Sequence, residues 1–117
     1  MTAININTSE YWDKVYRSEW ESGQARREGY NRDYGPVHDA IVSLIADRSR
    51  VLDIACGPGL LCRKLKERLP STHVVGVDFS EYMIRQNQKR DEQLGVEYRC
   101  LDVRNSLESL EAVFDVV

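Results

Sequence analysis

A chain of 117 residues, 42% of them hydrophobic, has room for one small domain and no second one. Its 16 basic and 19 acidic residues leave a formal net charge of -3, which gives no overall reason to expect nucleic acid as the main partner. The N-terminus lacks a basic segment followed by an apolar core, and no window reaches bilayer-spanning length, so a cytoplasmic protein without a membrane partner is expected.

In chain order, residues 1–7 carry no periodicity. Ser9 can cap a helix that starts near Glu10, in which Trp12, Tyr16 and Trp20 recur on one face. Packing on the core is the simpler account of this aromatic stripe; closure over a ligand pocket is the other, with Tyr11 and Tyr16 as the residues to watch. From Glu21 to Gly35 the sequence is polar and broken by Gly23, Gly29 and Gly35, so a loop or short broken helices are expected, with Arg26 and Arg27 as solvated surface. Pro36 then opens a second helix whose apolar face is Val37, Ala40, Ile41, Leu44 and Ile45.

Residues 51–59, Val-Leu-Asp-Ile-Ala-Cys-Gly-Pro-Gly, organise the rest. An apolar run of strand length carries the acid Asp53, turns through small residues, and enters a helix with Leu61, Leu65 and Leu69 on one face and an end before Pro70. Gly57 and Gly59 let a ligand approach the backbone, and Pro58 suits a helix start. A dinucleotide loop wants a third glycine, but Cys62 stands there. A pyrophosphate would also be repelled by Asp53, whereas a cationic ligand would be drawn to it.

The next strand, residues 73–77, delivers Asp78, about 20 residues after the first glycine, the spacing of an acid that binds ribose hydroxyls. Ser80 is better placed than Asp78 to cap the following helix, expected over residues 81–94 with Gly95 as its stop. A third strand, residues 96–101, ends in Asp102, and a fourth begins at Val113. Three successive strands thus finish in a carboxylate on one rim of a parallel sheet, where ligands bind such folds. Cys56, Cys62 and Cys100 lack Cys-x-x-Cys spacing, so reduced thiols are expected and neither disulfides nor a metal site. His38 and His73, each beside an apolar run, read as surface or capping residues.

The run from Asp53 to Gly59 resembles the first motif of the class I S-adenosylmethionine-dependent methyltransferases, an acid followed by alternating glycines, with Ala55 at the first glycine position. The resemblance implies an α/β fold, a Rossmann-like doubly wound parallel sheet with helices on both faces. It also implies S-adenosylmethionine as cofactor, held by the loop at Ala55, Gly57 and Gly59. Asp53 would face the methionine ammonium and Asp78 the ribose. Asp102 would accept from the adenine amino group and the Val103 N–H would donate to a ring nitrogen, with Phe79 and Val103 sandwiching the base. The methyl acceptor, small molecule or protein, is not specified, and no catalytic base emerges; Asp115 is a weak candidate.

Residues 113–117 resemble the family strand that lies beside the first one, after which three more strands normally complete the sheet. The expectation is therefore a chain truncated after its fourth strand. Residues 1–50 form a helical segment and candidate lid, and residues 51–117 an incomplete cofactor-binding half domain whose open edge invites self-association. Two other readings compete: a non-catalytic cofactor-binding or interaction module, and an NAD(P)-dependent oxidoreductase, which Cys62 and Asp53 oppose.

Overall fold

A computed structural model describes residues 3–22, 30–106, 110 and 114–117, the side chains of residues 30–33 and 106 excepted. Of the stretch expected as a loop or short broken helices, Glu21 to Gly35, residues 23–29 with Arg26 and Arg27 lie outside the described residues, as does Val113 of the predicted fourth strand, whereas residues 30–35 belong to one continuous helix.

The described elements run α1 (Ser9–Glu21), α2 (Tyr30–Leu44), β1 (Arg50–Ile54), α3 (Leu60–Arg68), β2 (His73–Asp78), α4 (Glu81–Arg90), β3 (Glu97–Cys100) and the short α5 (Val103–Ser106). The three strands are parallel in the order β1-β2-β3, with Leu52 opposite Val75 and Gly76 opposite Tyr98. β1 and β2 are hydrophobic on both faces, as parallel strands covered on both sides must be. Ser80 caps α4 as expected, its Oγ accepting from the Met83 N–H at 3.2 Å.

The expected fourth strand is reduced to a single parallel bridge between Val51 and Val116 among the described residues. The Leu52 N–H donates to the Val116 carbonyl at 2.9 Å, while the neighbouring Ser49 carbonyl accepts from His73. Alternate backbone groups of a strand point to opposite edges, so Val116 lies on the side of β1 away from β2. The position agrees with the resemblance, but one bridge is too short a run to count as a strand.

Among the described residues the long helices lie on one face of the sheet, and the other carries the short α5. Val51 and Val74 turn to the face where Val42 of α2 and Ile45 just beyond it, Cys62 and Leu65 of α3 and Ile84 of α4 complete the main core. Leu52, Val75 and Val77 turn to the other face, met there among the described residues by Leu101, Val103 at the start of the one-turn α5, Leu110 and Phe114. The cause is handedness: successive right-handed crossovers stepping in one direction from β1 to β3 deposit their helices on one side. Covering the other face takes crossovers that step the opposite way from β1.

Three helix details differ from the pattern-based expectation. Thr8, not Ser9, caps α1, its Oγ accepting from the Tyr11 N–H at 3.2 Å. Pro36 lies inside α2 instead of opening it. Its apolar face is accordingly rotated: Val42 and Ile45 are buried and Ile41 partly so, whereas Val37 and Leu44 are 55% and 85% exposed. α4 stops at Arg90, because Asp91 leaves helical geometry to aim its carboxylate at Arg90 and Tyr98.

α1 has no fully buried residue, so its aromatic stripe is not part of the core. It docks instead on the start of α4, where Asp13 Oδ1 accepts from Ser80 Oγ at 2.6 Å and from the Tyr82 N–H at 3.3 Å. Arg17 adds a cation–π contact at 4.8 Å from the Tyr82 ring centre. Among the described residues no helix is long and apolar enough to cross a membrane.

Candidate functional site

The loop from Ala55 to Gly59 runs along the carboxyl ends of β1 and β2, where the sheet's backbone pairing stops. It is built from left-handed turns: φ is 58° at Ala55, 54° at Gly57 and 74° at Gly59. At the two glycines this conformation costs little, and at Gly59 a side chain would also collide. A Cβ on Gly59 would sit 2.6 Å from Tyr98 Oη, and one on Gly57 would sit 3.3 Å from Tyr16 Oη. The close approach expected at both glycines is thus made first by the chain's own tyrosines. At Ala55 the same φ strains an L residue by roughly 1 kcal/mol. Ala55→Gly is therefore expected to raise stability by about 1 kcal/mol in urea unfolding, partly offset by the greater freedom of glycine in the unfolded chain. An unchanged or lower midpoint would refute the strain.

The loop is clamped from beneath by residues that motif reading missed. Asn87 Nδ2 donates to the Gly57 carbonyl at 2.8 Å, and Arg90 Nη1 to the Pro58 carbonyl at 2.7 Å. Tyr98 Oη lies 3.4 Å from the Gly59 carbonyl oxygen and donates to Asp91 at 2.6 Å. Asn87 shares the buried stripe of α4 with Met83 and Ile84, and a polar residue on such a stripe is the signal that could have found it.

The three predicted acids all lie toward this rim, but in different states. Asp78 ends β2 and is 5% exposed; its Oδ2 accepts from the Gly57 N–H at 3.0 Å and its Oδ1 from the Ser80 N–H at 2.9 Å. Burial pushes its acidity to a higher pKa against those two hydrogen bonds, with Asp13 adding repulsion. Asp78 thus also fastens the loop to β2, so its replacement disturbs the fold as well as any ligand contact. Asp53, one residue before the end of β1, is half-buried and accepts from Cys62 Sγ at 3.4 Å. Burial raises its pKa, and the nearby Asp78 charge raises it further. Asp102, two residues past β3, is held by Arg104, whose Nε and Nη2 donate at 2.9 Å and 2.8 Å. These hydrogen bonds pull its pKa below the usual range.

Two clefts flank the loop and share Ala55. One, about 220 Å³, is lined by Ala55, Asp78, Phe79, Asp102, Val103 and Arg104. The Arg104 guanidinium stands 5.7 Å from the Phe79 ring centre, over the surface expected to stack a base. The other cleft, about 280 Å³, is lined by Tyr16, Tyr34, His38, Asp53, Ala55 and Gly57 among others. Gly59 lies behind the loop against Tyr98 and lines neither cleft. Asp115 is at neither: it accepts from the Arg50 N–H at 2.8 Å, at the opposite end of β1 from the loop, and so is removed from the acceptor side. Among the described residues no cluster of His, Cys, Asp and Glu could hold a metal ion.

The family pattern described as a methyltransferase domain matches residues 51–117, more than half of the chain. The chain belongs to the class I S-adenosylmethionine-dependent methyltransferases. It is 34% identical over 68 residues to a malonyl-[acyl-carrier protein] O-methyltransferase of Bacillus cereus, an alignment covering 58% of this chain and 24% of that one. Among solved structures it is similar to PKMT2 from Rickettsia typhi in complex with AdoHcy, at 29% identity and a TM-score of 0.53, covering 59% of this chain and 14% of that one. Over 92% of its length it shares the fold of the plantazolicin methyltransferase BpumL, covering 45% of that chain, at 19% identity and a TM-score of 0.63. The methyltransferase chain spans about a quarter of the curated relatives it matches.

Proposed function

We propose that this chain binds S-adenosylmethionine as the cofactor-binding part of a methyltransferase acting on a small-molecule or protein acceptor. The observation that carries the reading is the pair of clefts meeting at Ala55, with Asp78 and Asp102 in one and Asp53 in the other. A nucleoside with a cationic amino-acid tail matches that division. The ribose falls to Asp78, the base to Phe79, Val103 and Asp102, and the ammonium to Asp53 beside the turn at Ala55, Gly57 and Gly59. An anionic pyrophosphate matches it poorly, because Asp53 and Asp78 both lie at the loop and burial already penalises their charge.

When bound, the cofactor supplies a methyl group activated by its sulfonium sulfur. The residues described here bind and orient: the clamped loop fixes the tail, the acids fix the nucleoside, and α1 with the segment before it covers the clefts through Asn7 and Tyr16. That arrangement supports the N-terminal residues as a lid over the site and residues 51–117 as the cofactor-binding unit. The exposed outer edge of the sheet offers a surface for a second copy. A cytoplasmic location accords with the three cysteines, which are unpaired.

Titration calorimetry of the chain with S-adenosylhomocysteine and separately with NAD tests the reading. Saturable binding of the first and none of the second is expected. Binding of NAD, or of neither, would overturn it.

A further inference from the structure

Two of the three thiols meet over β2, the central strand of the described sheet. Gly76 presents no side chain there, and sulfur takes the space: a Cβ on Gly76 would sit 2.9 Å from Cys62 Sγ and 3.1 Å from Cys56 Sγ. Both thiols are free, and they are in hydrogen-bond contact with each other. Main-chain hydrogen bonds fix the pair from both ends. The Cys56 N–H donates to the Val77 carbonyl at 2.9 Å, and the Cys56 carbonyl accepts from the Gly59 N–H at 3.0 Å. Cys62 stands in the first turn of α3, which the Arg63 N–H ties back to the Gly59 carbonyl at 2.9 Å.

The two thiols differ in what they can meet. Cys62 is fully buried, and its Sγ donates to Asp53 Oδ2 at 3.4 Å. The adjoining Cys56 thiol, burial and the Asp53 charge push the Cys62 thiol well up, so it stays protonated and inert toward an oxidant from solvent. Cys56 is only partly buried and lines the cleft of about 280 Å³, where a small peroxide can reach its sulfur. An accessible sulfur with a second thiol in contact is the arrangement of an oxidisable cysteine and its resolving partner. Asp53 adds what the buried thiol needs, an acceptor for its proton, and burial makes that carboxylate the readier to take one.

We propose that Cys56 and Cys62 form an oxidation site for hydrogen peroxide, in which Cys56 is oxidised first, Cys62 resolves it with Asp53 as proton acceptor, and the disulfide formed ties the ligand loop to α3. In the first step the Cys56 sulfur attacks one peroxide oxygen, the O–O bond breaks, and the departing hydroxide takes the thiol proton as water, leaving a sulfenic acid. In the second, Cys62 passes its proton to Asp53 and its sulfur attacks the Cys56 sulfur. The S–O bond breaks, and the departing hydroxide recovers that proton from Asp53 as a second water. The two sulfurs lose two electrons in all, and the peroxide gains them. The new bond closes a short ring around Gly57, Pro58 and Gly59 and takes from Asp53 its thiol donor, so the oxidised loop differs from the reduced one at the cleft wall. A dithiol reductant reverses the change.

The test needs no cofactor, so it stands or falls separately from the S-adenosylmethionine reading. The reduced chain is exposed to hydrogen peroxide, quenched, alkylated in denaturant and cut at Arg50 and Arg63, which places both cysteines on one peptide. The peptide of residues 51–63 is expected unalkylated and two hydrogens lighter than the dithiol, with both thiols restored by dithiothreitol. With dimedone present, Cys62→Ser is expected to accumulate the sulfenic-acid adduct at Cys56 by about tenfold or more over the wild type, because nothing resolves it. Asp53→Asn raises the same adduct, since its amide cannot take the proton. In Cys56→Ser, Cys62 remains a thiol. A wild-type peptide that keeps both thiols, one in which Cys56 is oxidised beside an intact Cys62 thiol, or a disulfide that uses Cys100 instead overturns the proposal. An adduct equal in Cys62→Ser and wild type overturns it too, and one unchanged in Asp53→Asn removes the carboxylate from the second step. Should a variant fail to fold, the wild-type peptide alone still decides.

Discussion

Replacing Asp91 by alanine will destabilise the chain by about 3–5 kcal/mol, read as a large drop in the urea midpoint. The Asp91 side chain is 1% exposed and accepts from Arg90 Nε at 2.8 Å, Arg90 Nη2 at 2.6 Å and Tyr98 Oη at 2.6 Å. Removing it strands a guanidinium that is 22% exposed and a buried hydroxyl, both of which also reach the loop carbonyls of Pro58 and Gly59. A typical domain has only about 5–15 kcal/mol in hand, so the loss is a large fraction of the total. Burial opposes the Asp91 charge, but the hydrogen bonds from Arg90 and Tyr98 outweigh it and hold its pKa below the usual carboxylate range. A depressed folded pKa means the contribution is fully present above the unfolded value and is lost as pH falls through the folded one. Wild-type stability therefore falls steeply on acidification and the variant's less so. A loss under 1 kcal/mol at neutral pH would show that the clamp does not depend on Asp91.

That clamp also marks the limit of what could be read from the residues. β1, the loop, α3 and β2 were legible because each has a local cause: an apolar run, glycines where the chain must turn left-handed, leucines at helical spacing, and Pro70 beyond the helix end. The three acids were legible for the same reason, since each sits at or near a strand terminus. Arg90 reaching Pro58 and Tyr98 reaching Gly59 join parts of the chain more than 30 residues apart, and nothing local encodes such a contact. His38, which lines a cleft, was read as a surface or capping residue because the α2 face was read one residue out of register. Counting from Pro36 as the helix start selected Val37 and Leu44, whereas the stripe through Ile41, Val42 and Ile45 carries His38 with it.

The uneven layering was not legible for a different reason. Strand order and helix side depend on the direction in which each crossover steps, and the pattern of apolar residues is the same either way. Residues 113–117 have the composition of a strand, but pairing needs a run of matched backbone groups, and only Val116 makes a bridge to β1 among those described. Asp115 illustrates the consequence. Its expected place near the acceptor side assumed that the strand's far end reaches the rim, yet its carboxylate meets Arg50, where β1 begins.

Asp53→Asn is expected to move stability and binding in opposite directions. Burial raises the Asp53 pKa, and the Asp78 charge raises it further, so the folded state holds a proton that the unfolded chain has already released. For an acid whose folded pKa lies above its unfolded value, stability is lost as pH rises across that window, and above it the charge is a standing cost. Asparagine removes the charge and keeps an oxygen for Cys62 Sγ, now 3.4 Å from the carboxylate. The variant should gain on the order of 1 kcal/mol at neutral pH, with the gain shrinking as acid titrates the wild type. Affinity for S-adenosylhomocysteine moves the other way, by about tenfold or more, because a charge-assisted bond to the ammonium becomes a neutral one. Urea unfolding across pH and titration calorimetry on the same samples separate the two effects. A variant that is less stable at neutral pH would show that Asp53 supports the fold; unchanged affinity would remove it from the cofactor site. The stated pattern would mean that a buried and a half-buried acid are kept at one loop at the expense of the empty fold because a cation is what the site holds.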